Sequence, residues 1–188
     1  MFILASASPR RKQLLSQIGV IPDDVTAPEI DESPRVGENP RHYAARMAVE
    51  KAKSVSQRFP NSFILSADTV VVRGRKILHK ANDAGQASDF LTQLSGRRHY
   101  VYGGVCLITP DGQALNKVIR TIVKFRVLDQ KTIARYIKTM EWQDKAGAYA
   151  IQGSAAAFVD SITGCYFNIV GLPLSAIYPW FNHYGLVK

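Results

Sequence analysis

Apolar residues fall along this chain in two rhythms. Dense short runs read as strands, and residues repeating every three or four positions read as helix faces. Phe2 to Ala5 is the first run. Leu14, Leu15 and Ile18 then repeat at helical spacing, with Ser8 placed as N-cap, Pro9 as first helical residue and Gly19 just past the end. Val20 to Asp31 holds Pro22 and Pro28 and little periodicity, so it reads as an extended loop. Asn39-Pro40 opens a second helix whose apolar stripe is Tyr43, Met47, Ala48, Ala52 and Val55, closed by Phe59-Pro60. Phe63 to Val72 is the densest strand and suggests a central position covered on both faces. Arg73 to Lys76 is a tight turn, and Ile77 to Lys80 returns as a partner strand.

Asn82-Asp83 starts a helix with Ala84, Ala87, Phe90, Leu91 and Leu94 inside and Gly96 at its end. A hairpin follows: out along His99 to Thr109, round Pro110-Asp111-Gly112 and back through Phe125. Its return arm alternates Ile119, Thr121, Val123 and Phe125 with a largely basic face. Asp129 caps a helix with Ile133, Tyr136, Ile137 and Met140. Ala155 to Ile162 and Cys165 to Val170 read as a last hairpin around Thr163-Gly164, before a C-terminal helix with Trp180 and Phe181.

The 188 residues suffice for one domain or two small lobes with a full core, and their 46% hydrophobic and 21% charged content is ordinary. No apolar run is long enough to cross a membrane, and Phe2 to Ala5 is too short for a leader, so the cytoplasm is the expected compartment. Cys106 and Cys165 lie far apart in apolar runs and read as buried thiols, not a zinc site or a disulfide. A net charge of +9 points to an anionic partner: nucleic acid, a membrane surface or a phosphorylated small molecule. The basic residues are scattered, with no zinc finger, basic zipper or aromatic RNA-binding signature, so charge alone does not choose.

Ser6-Ala7-Ser8-Pro9-Arg10-Arg11 sits where the first strand runs into the first helix. Cations belong at a helix C-terminus, so two arginines in a first turn are locally unfavourable unless an anion joins them. Hydroxyls, free amides and paired guanidinium groups around one point make a phosphate cradle. Two solvated arginines on a surface helix are the plainer reading. The acidic pair Asp31-Glu32 likewise reads as solvated when taken alone. Lys51 borders the buried stripe of its helix and either snorkels to water or reaches an anionic site.

Asp68 interrupts the densest strand, where a buried carboxylate costs several kcal/mol (about that order) unless paired or bound to metal. It could cap backbone or pair with an arginine. The functional reading is preferred, because Ser66 and Thr69 flank it and lysines and a second acid are available. The hairpin should carry Lys80 back to the level of Asp68 or just beyond. In Asp144 to Gly153, small residues and Gly147 and Gly153 let a ligand approach the backbone, and Gln152 offers an amide to a planar polar group. A plain turn-rich loop explains the same stretch.

In order and spacing, SASPRR, the loop DE, the helical EKA, SADTVV, the hairpin lysine, DKAGAYAIQG and NIVGLPL resemble the Maf family of nucleoside triphosphate pyrophosphatases, from Met1 to about Tyr178. The resemblance implies a single Maf-like domain over 1–188, with an α/β fold similar to the inosine triphosphate pyrophosphatases. That fold is a mixed twisted sheet with flanking helices, in two lobes around a deep cleft. It implies hydrolysis of a nucleoside triphosphate to monophosphate and pyrophosphate, with Mg²⁺ or Mn²⁺ as cofactor.

Carried over by position, Asp68 matches the family's proton acceptor, and Arg10, Thr69 and Gln152 match its specificity positions. Ser6, Ser8, Arg11, Glu32, Lys51 and Lys80 match other polar residues of its site. On this reading Asp68, Lys51 and Lys80 form the catalytic set, and Glu32 and Asp68 hold the metal. Arg10, Arg11, Lys51 and Lys80 clamp the triphosphate, and Gln152 bonds the base. A homodimer is also implied, with no specific nucleic acid and no membrane as partners.

The intact DKAGAYAIQG resembles the branch acting on dTTP and UTP, rather than the one preferring 7-methyl-GTP. Where that branch usually has Gly-Lys-Pro or Glu-Lys-Pro, this chain has His79-Lys80-Ala81. It also has Gly103 where a threonine commonly precedes the Gly-Val or Ala-Val pair. These departures bear on base selectivity and leave the reaction class alone. Two rivals stand beside the pyrimidine reading: a pyrophosphatase for modified nucleotides such as 7-methyl-GTP, and a non-catalytic regulator of cell division or septum formation.

Overall fold

The structure, a computed structural model, describes residues 1–187. Strand β1 (Phe2–Ala5) is buried at every position and pairs in parallel with β2 (Asp24–Thr26) on one side and β3 (Phe63–Arg73) on the other. Ala5 stands beside Thr26 and Ser66. β2 lies inside the expected loop. It has three residues, two of them exposed, so it carries no apolar signal and depends on its neighbour for existence.

Helix α1 (Pro9–Gln17) follows β1, with extended Ser8 before it, Pro9 at its first position and Gly19 at φ +71° after it. The Ser8 side chain makes no capping bond. Helix α2 (Pro40–Ser56) is capped by Asn39, whose side chain accepts from Arg41 N at 2.9 Å. It buries Tyr43, Ala44, Met47, Ala48, Lys51, Ala52 and Val55 along one face. Ala48, Ala52 and Val55 pack with Ile3, Ala5, Ile64, Cys106 and Ile108 in one core cluster. The helix is locked at two more points. The Ser66 hydroxyl donates a short bond to the Ala48 carbonyl. A Cβ on Gly104 would fall 1.9 Å from the Ala44 carbonyl oxygen, so only glycine lets strand and helix approach this closely.

β4 (Lys76–Leu78) returns antiparallel on β3, with Val71 opposite Leu78. Helix α3 (Ala84–Leu94), capped by Asp83, packs with α4 (Gln130–Lys138), capped by Asp129. The long strands β5 (Arg98–Ile108) and β6 (Ala114–Phe125) form the expected hairpin. Thr121, Val123 and Phe125 are buried and Arg120 is exposed, as the alternation requires. These strands pair in the order β2-β1-β3-β5-β6, with β4 on β3.

The last hairpin of the sequence reading does not form. Ser154–Phe158 is a 3-10 turn, β7 (Val159–Thr163) pairs antiparallel with the end of β6, and Tyr166–Val170 is helix α5. A short apolar run has no period that separates strand from helix. Here buried Asn168 decides: its Nδ2 donates to Val101 O at 3.1 Å and to Thr121 Oγ1 at 3.0 Å. Thr121 Oγ1 also accepts from Cys165 N at 3.2 Å. Cys165 is half-buried rather than buried, while Cys106 is fully buried and burial pushes its thiol up to about 11. Helix α6 (Leu174–His183) ends the fold with Ile177 and Phe181 inside.

By its contacts the chain divides into two compact units. One holds Met1–Asp68, Gly103–Ile119 and the stretch from Gly171 onward; the other holds Thr69–Tyr102 and Arg120–Val170. No helix among the described residues is long and apolar enough to cross a membrane.

Candidate active site

The first unit holds most of the expected site residues. At the end of β1 the chain turns tightly, Ser6 N donating to Leu4 O at 3.0 Å, and this buries the Ser6 side chain. Its Oγ accepts from Ser8 N at 3.1 Å and from Arg11 Nη1 at 3.0 Å. Arg11 Nε donates to Gly171 O at 2.9 Å, so the guanidinium is held at two points before any ligand arrives. Burial lowers the Arg11 pKa, the Asp68 carboxylate opposes that, Arg10 adds to it, and Glu32 opposes it more weakly. Arg10 and Ser8 are half-buried on the same turn. The two arginines are therefore not a solvated pair on a surface helix.

Asp68 and Lys51 are both buried, and Lys51 Nζ lies 2.7 Å from Asp68 Oδ1. The same ammonium reaches Glu32 Oε1 at 3.0 Å. Lys51 thus does not snorkel; α2 delivers it to two carboxylates, one from β3 and one from the loop before α2. A buried ion pair of this kind is poor evidence for stability, since desolvation offsets much of the attraction.

Two carboxylates joined by one ammonium are hard oxygen donors of the type Mg²⁺ and Mn²⁺ accept. No group of three or more His, Cys, Asp or Glu that could hold a metal gathers among the described residues. Asp68 and Glu32 fit a hydrated cation that takes one or two protein carboxylates. They do not fit an all-protein cage.

Thr69, Lys80 and Gln152 belong to the second unit. Continuing the β3–β4 register would set Lys80 opposite Thr69, but the ladder stops at Val71–Leu78. Lys80 instead bridges Ala146 in antiparallel fashion, and Gly147 N donates to Leu78 O at 2.9 Å and His79 O at 3.1 Å. Gly147 has φ +69°, and a Cβ there would lie 2.7 Å from Val71 Cγ1. The DKAGAY stretch is thus a strap over the hairpin rather than a free loop. Lys80 Nζ lies 3.8 Å from Asp144 Oδ1, both side chains largely exposed at 66% and 87%. Thr69 is half-buried, and Gln152 is exposed on the turn after the strap.

Sequence reasoning missed the partners of the Glu32 loop. Tyr43, read only as part of the apolar stripe, donates its hydroxyl to Glu32 O at 2.7 Å. Burial raises its pKa, with Asp68 and Glu32 adding to the rise. Arg46 pairs with Glu38 and Glu50. The four-residue spacing of Arg46 and Glu50 was a visible signal; the reach to Glu38 was not.

A family model described as Maf-like protein matches residues 1–184. A protein of Rhodospirillum rubrum named dTTP/UTP pyrophosphatase is 49% identical over 172 residues, which cover 92% of this chain and 82% of that one. Another of that name, from Paramagnetospirillum magneticum, is 50% identical over 174 residues, covering 93% and 92%. Among solved structures, the Staphylococcus aureus Ham1 protein superposes with a TM-score of 0.55 at 13% identity, covering 97% of this chain and 98% of that one; this likeness concerns the fold.

Proposed function

The chain belongs to the Maf family, and from that premise we propose that it is a nucleoside triphosphate pyrophosphatase acting on dTTP and UTP. The observation that carries this reading is the buried Lys51–Asp68 pair in the unit that also holds the pre-bonded Ser6–Arg11 turn. The relatives named for dTTP and UTP, near half identical over most of their length, support the choice of bases.

In the reaction, water attacks the α-phosphorus, and the bond from that phosphorus to the α–β bridging oxygen breaks. The bridging oxygen leaves with pyrophosphate, and the water's proton passes to Asp68. Little covalent work falls to the protein, so its residues position groups and neutralise charge. Lys51 fixes one carboxylate oxygen of Asp68 and brings positive charge to the phosphates. Arg10, Arg11 and Lys80 take phosphate oxygens, Ser6 and Ser8 present their hydroxyl and amide groups, and Gln152 and Thr69 recognise the base. A divalent cation, when bound through Asp68 and Glu32, supplies further neutralisation of phosphate charge. We further assign residues 1–188 to a single functional domain, working in the cytoplasm as a homodimer with no nucleic-acid partner.

The test is a panel of dTTP, UTP, CTP, GTP, ATP and 7-methyl-GTP with Mg²⁺ or Mn²⁺, phosphorus NMR identifying the products. Monophosphate and pyrophosphate from dTTP and UTP are expected. Orthophosphate as first product would contradict the bond assignment, and preference for 7-methyl-GTP would reassign the base. No turnover at all would favour a non-catalytic regulator.

A further inference from the structure

Glu32 carries one of the two carboxylates on Lys51, yet residues 31–37 are all exposed and lie in no strand or helix. A carboxylate on such a stretch has a defined place only if something holds its backbone. Helix α2 does so from one face. The Tyr43 hydroxyl takes the Glu32 carbonyl at 2.7 Å, and Arg46 Nη2 takes the next carbonyl, that of Ser33, at 3.0 Å. At the far end of the loop, Arg46 grips Glu38 with two parallel bonds, Nε to Oε1 at 2.7 Å and Nη2 to Oε2 at 2.6 Å. Its Nη1 reaches Glu50 Oε2 at 3.1 Å, and its guanidinium lies 5.5 Å from the centre of the Tyr43 ring.

The Arg46 and Glu38 side chains are only 13% and 10% exposed, so this is a nearly enclosed fork, unlike a rim ion pair. Glu38 is held down to about 2 by its bonds to Arg46, against some desolvation. One side chain thus closes both ends of the loop onto α2, and Lys51, five residues further along that helix, meets the carboxylate the loop presents.

We propose that Arg46 is a positioning residue that sets Glu32 against Lys51 by clamping the 32–38 loop to α2. The inference rests on the pyrophosphatase reading above. A lysine cannot replace this fork, because an ammonium cannot hold both Glu38 oxygens and the Ser33 carbonyl in one geometry.

A double-mutant cycle tests it: kcat/KM for dTTP is measured in wild type, Arg46→Met, Glu32→Gln and the double variant. Each single change should cost ~10–100-fold, the usual effect of losing a group or its supporting partner. The double should be no worse than Glu32→Gln alone, because a loop without its carboxylate has nothing left to position. Arg46→Lys should recover only part of the loss. Hydrogen exchange of the 32–38 amides should accelerate in Arg46→Met while the β1 and β3 amides stay protected. If Arg46→Met does not fold, Glu38→Gln weakens the same fork with little change of shape and takes its place in the cycle.

Losses that multiply in the double variant would overturn the proposal, as would an Arg46→Met protein with full activity. A wild type inactive on every nucleotide would instead remove the pyrophosphatase reading, and this inference with it.

Discussion

The two units of this chain handle charge in opposite ways. In the first, two of the expected site cations are already bonded: Arg11 to Ser6 and Gly171, Lys51 to Asp68 and Glu32. In the second, Lys80 and Gln152 stand largely in water, and the lysine faces Asp144 at 3.8 Å. A pre-bonded, desolvated group loses little freedom when a phosphate arrives, and its field is weakly screened. An exposed lysine or glutamine keeps its freedom until bound and adapts its reach. The chain's departures from the usual family pattern at His79 and Ala81 flank the exposed lysine and leave the bonded cluster intact.

Removing one lysine from each unit separates the two most strongly. Lys51→Met leaves Asp68 buried without its cation and should cost about 3–5 kcal/mol of stability, read by urea unfolding. Lys80→Met should change stability by less than about 0.5 kcal/mol, because its pair is exposed and screened. Its effect should appear as a raised KM. Comparable losses of stability in both variants would erase the contrast.

The second unit also contains a buried polar group, and it behaves differently. His99 is enclosed by Phe125 and Tyr149, with Nε2 2.9 Å from the Tyr149 hydroxyl. Burial, helped by the charge of Arg73, lowers its pKa to about 4, so the folded protein holds it neutral. Between the ordinary value of 6.5 and about 4 the unfolded chain binds the extra proton. Its contribution is therefore fully present above pH 6.5 and is lost as pH falls through about 4, on the order of 2–3 kcal/mol. Replacing His99 with Gln should flatten the stability profile across that window; an unchanged slope would show that His99 does not set it.

Glu38 sharpens the picture at lower pH. Its pKa is depressed from 4.5 to about 2 by Arg46, so its contribution holds above pH 4.5 and is lost as pH falls through about 2. Hydrogen exchange in the 32–38 loop should accordingly stay slow at pH 4, when much of the His99 contribution has gone. Early release of that loop, before pH 4, would mean the Arg46 fork is weaker than its geometry indicates.

Local chemistry was legible where the chain carries it locally. Asn39, Asp83 and Asp129 cap the helices the sequence assigns to them, because a cap needs only its own backbone. The burial of Asp68 followed from the apolar density on either side of it. What failed to show depends on partners distant in sequence. β2 is set by β1, α5 by Asn168 and Thr121, and the register of Lys80 by the strap at Ala146 and Gly147. The Arg46 clamp is of the same kind: the Arg46–Glu50 spacing can be read along the helix, but its grip on Ser33 and Glu38 exists only once the loop folds back.

The proposed role of the bonded cluster around Asp68 is to carry out the hydrolysis. Its most direct test is pyrophosphate release from dTTP by wild type and Asp68→Asn, with unfolding followed in parallel. The amide keeps the shape and removes the charge, so a folded variant with kcat lowered on the order of 10²-fold or more is expected. A folded variant that releases pyrophosphate at the wild-type rate would contradict the account.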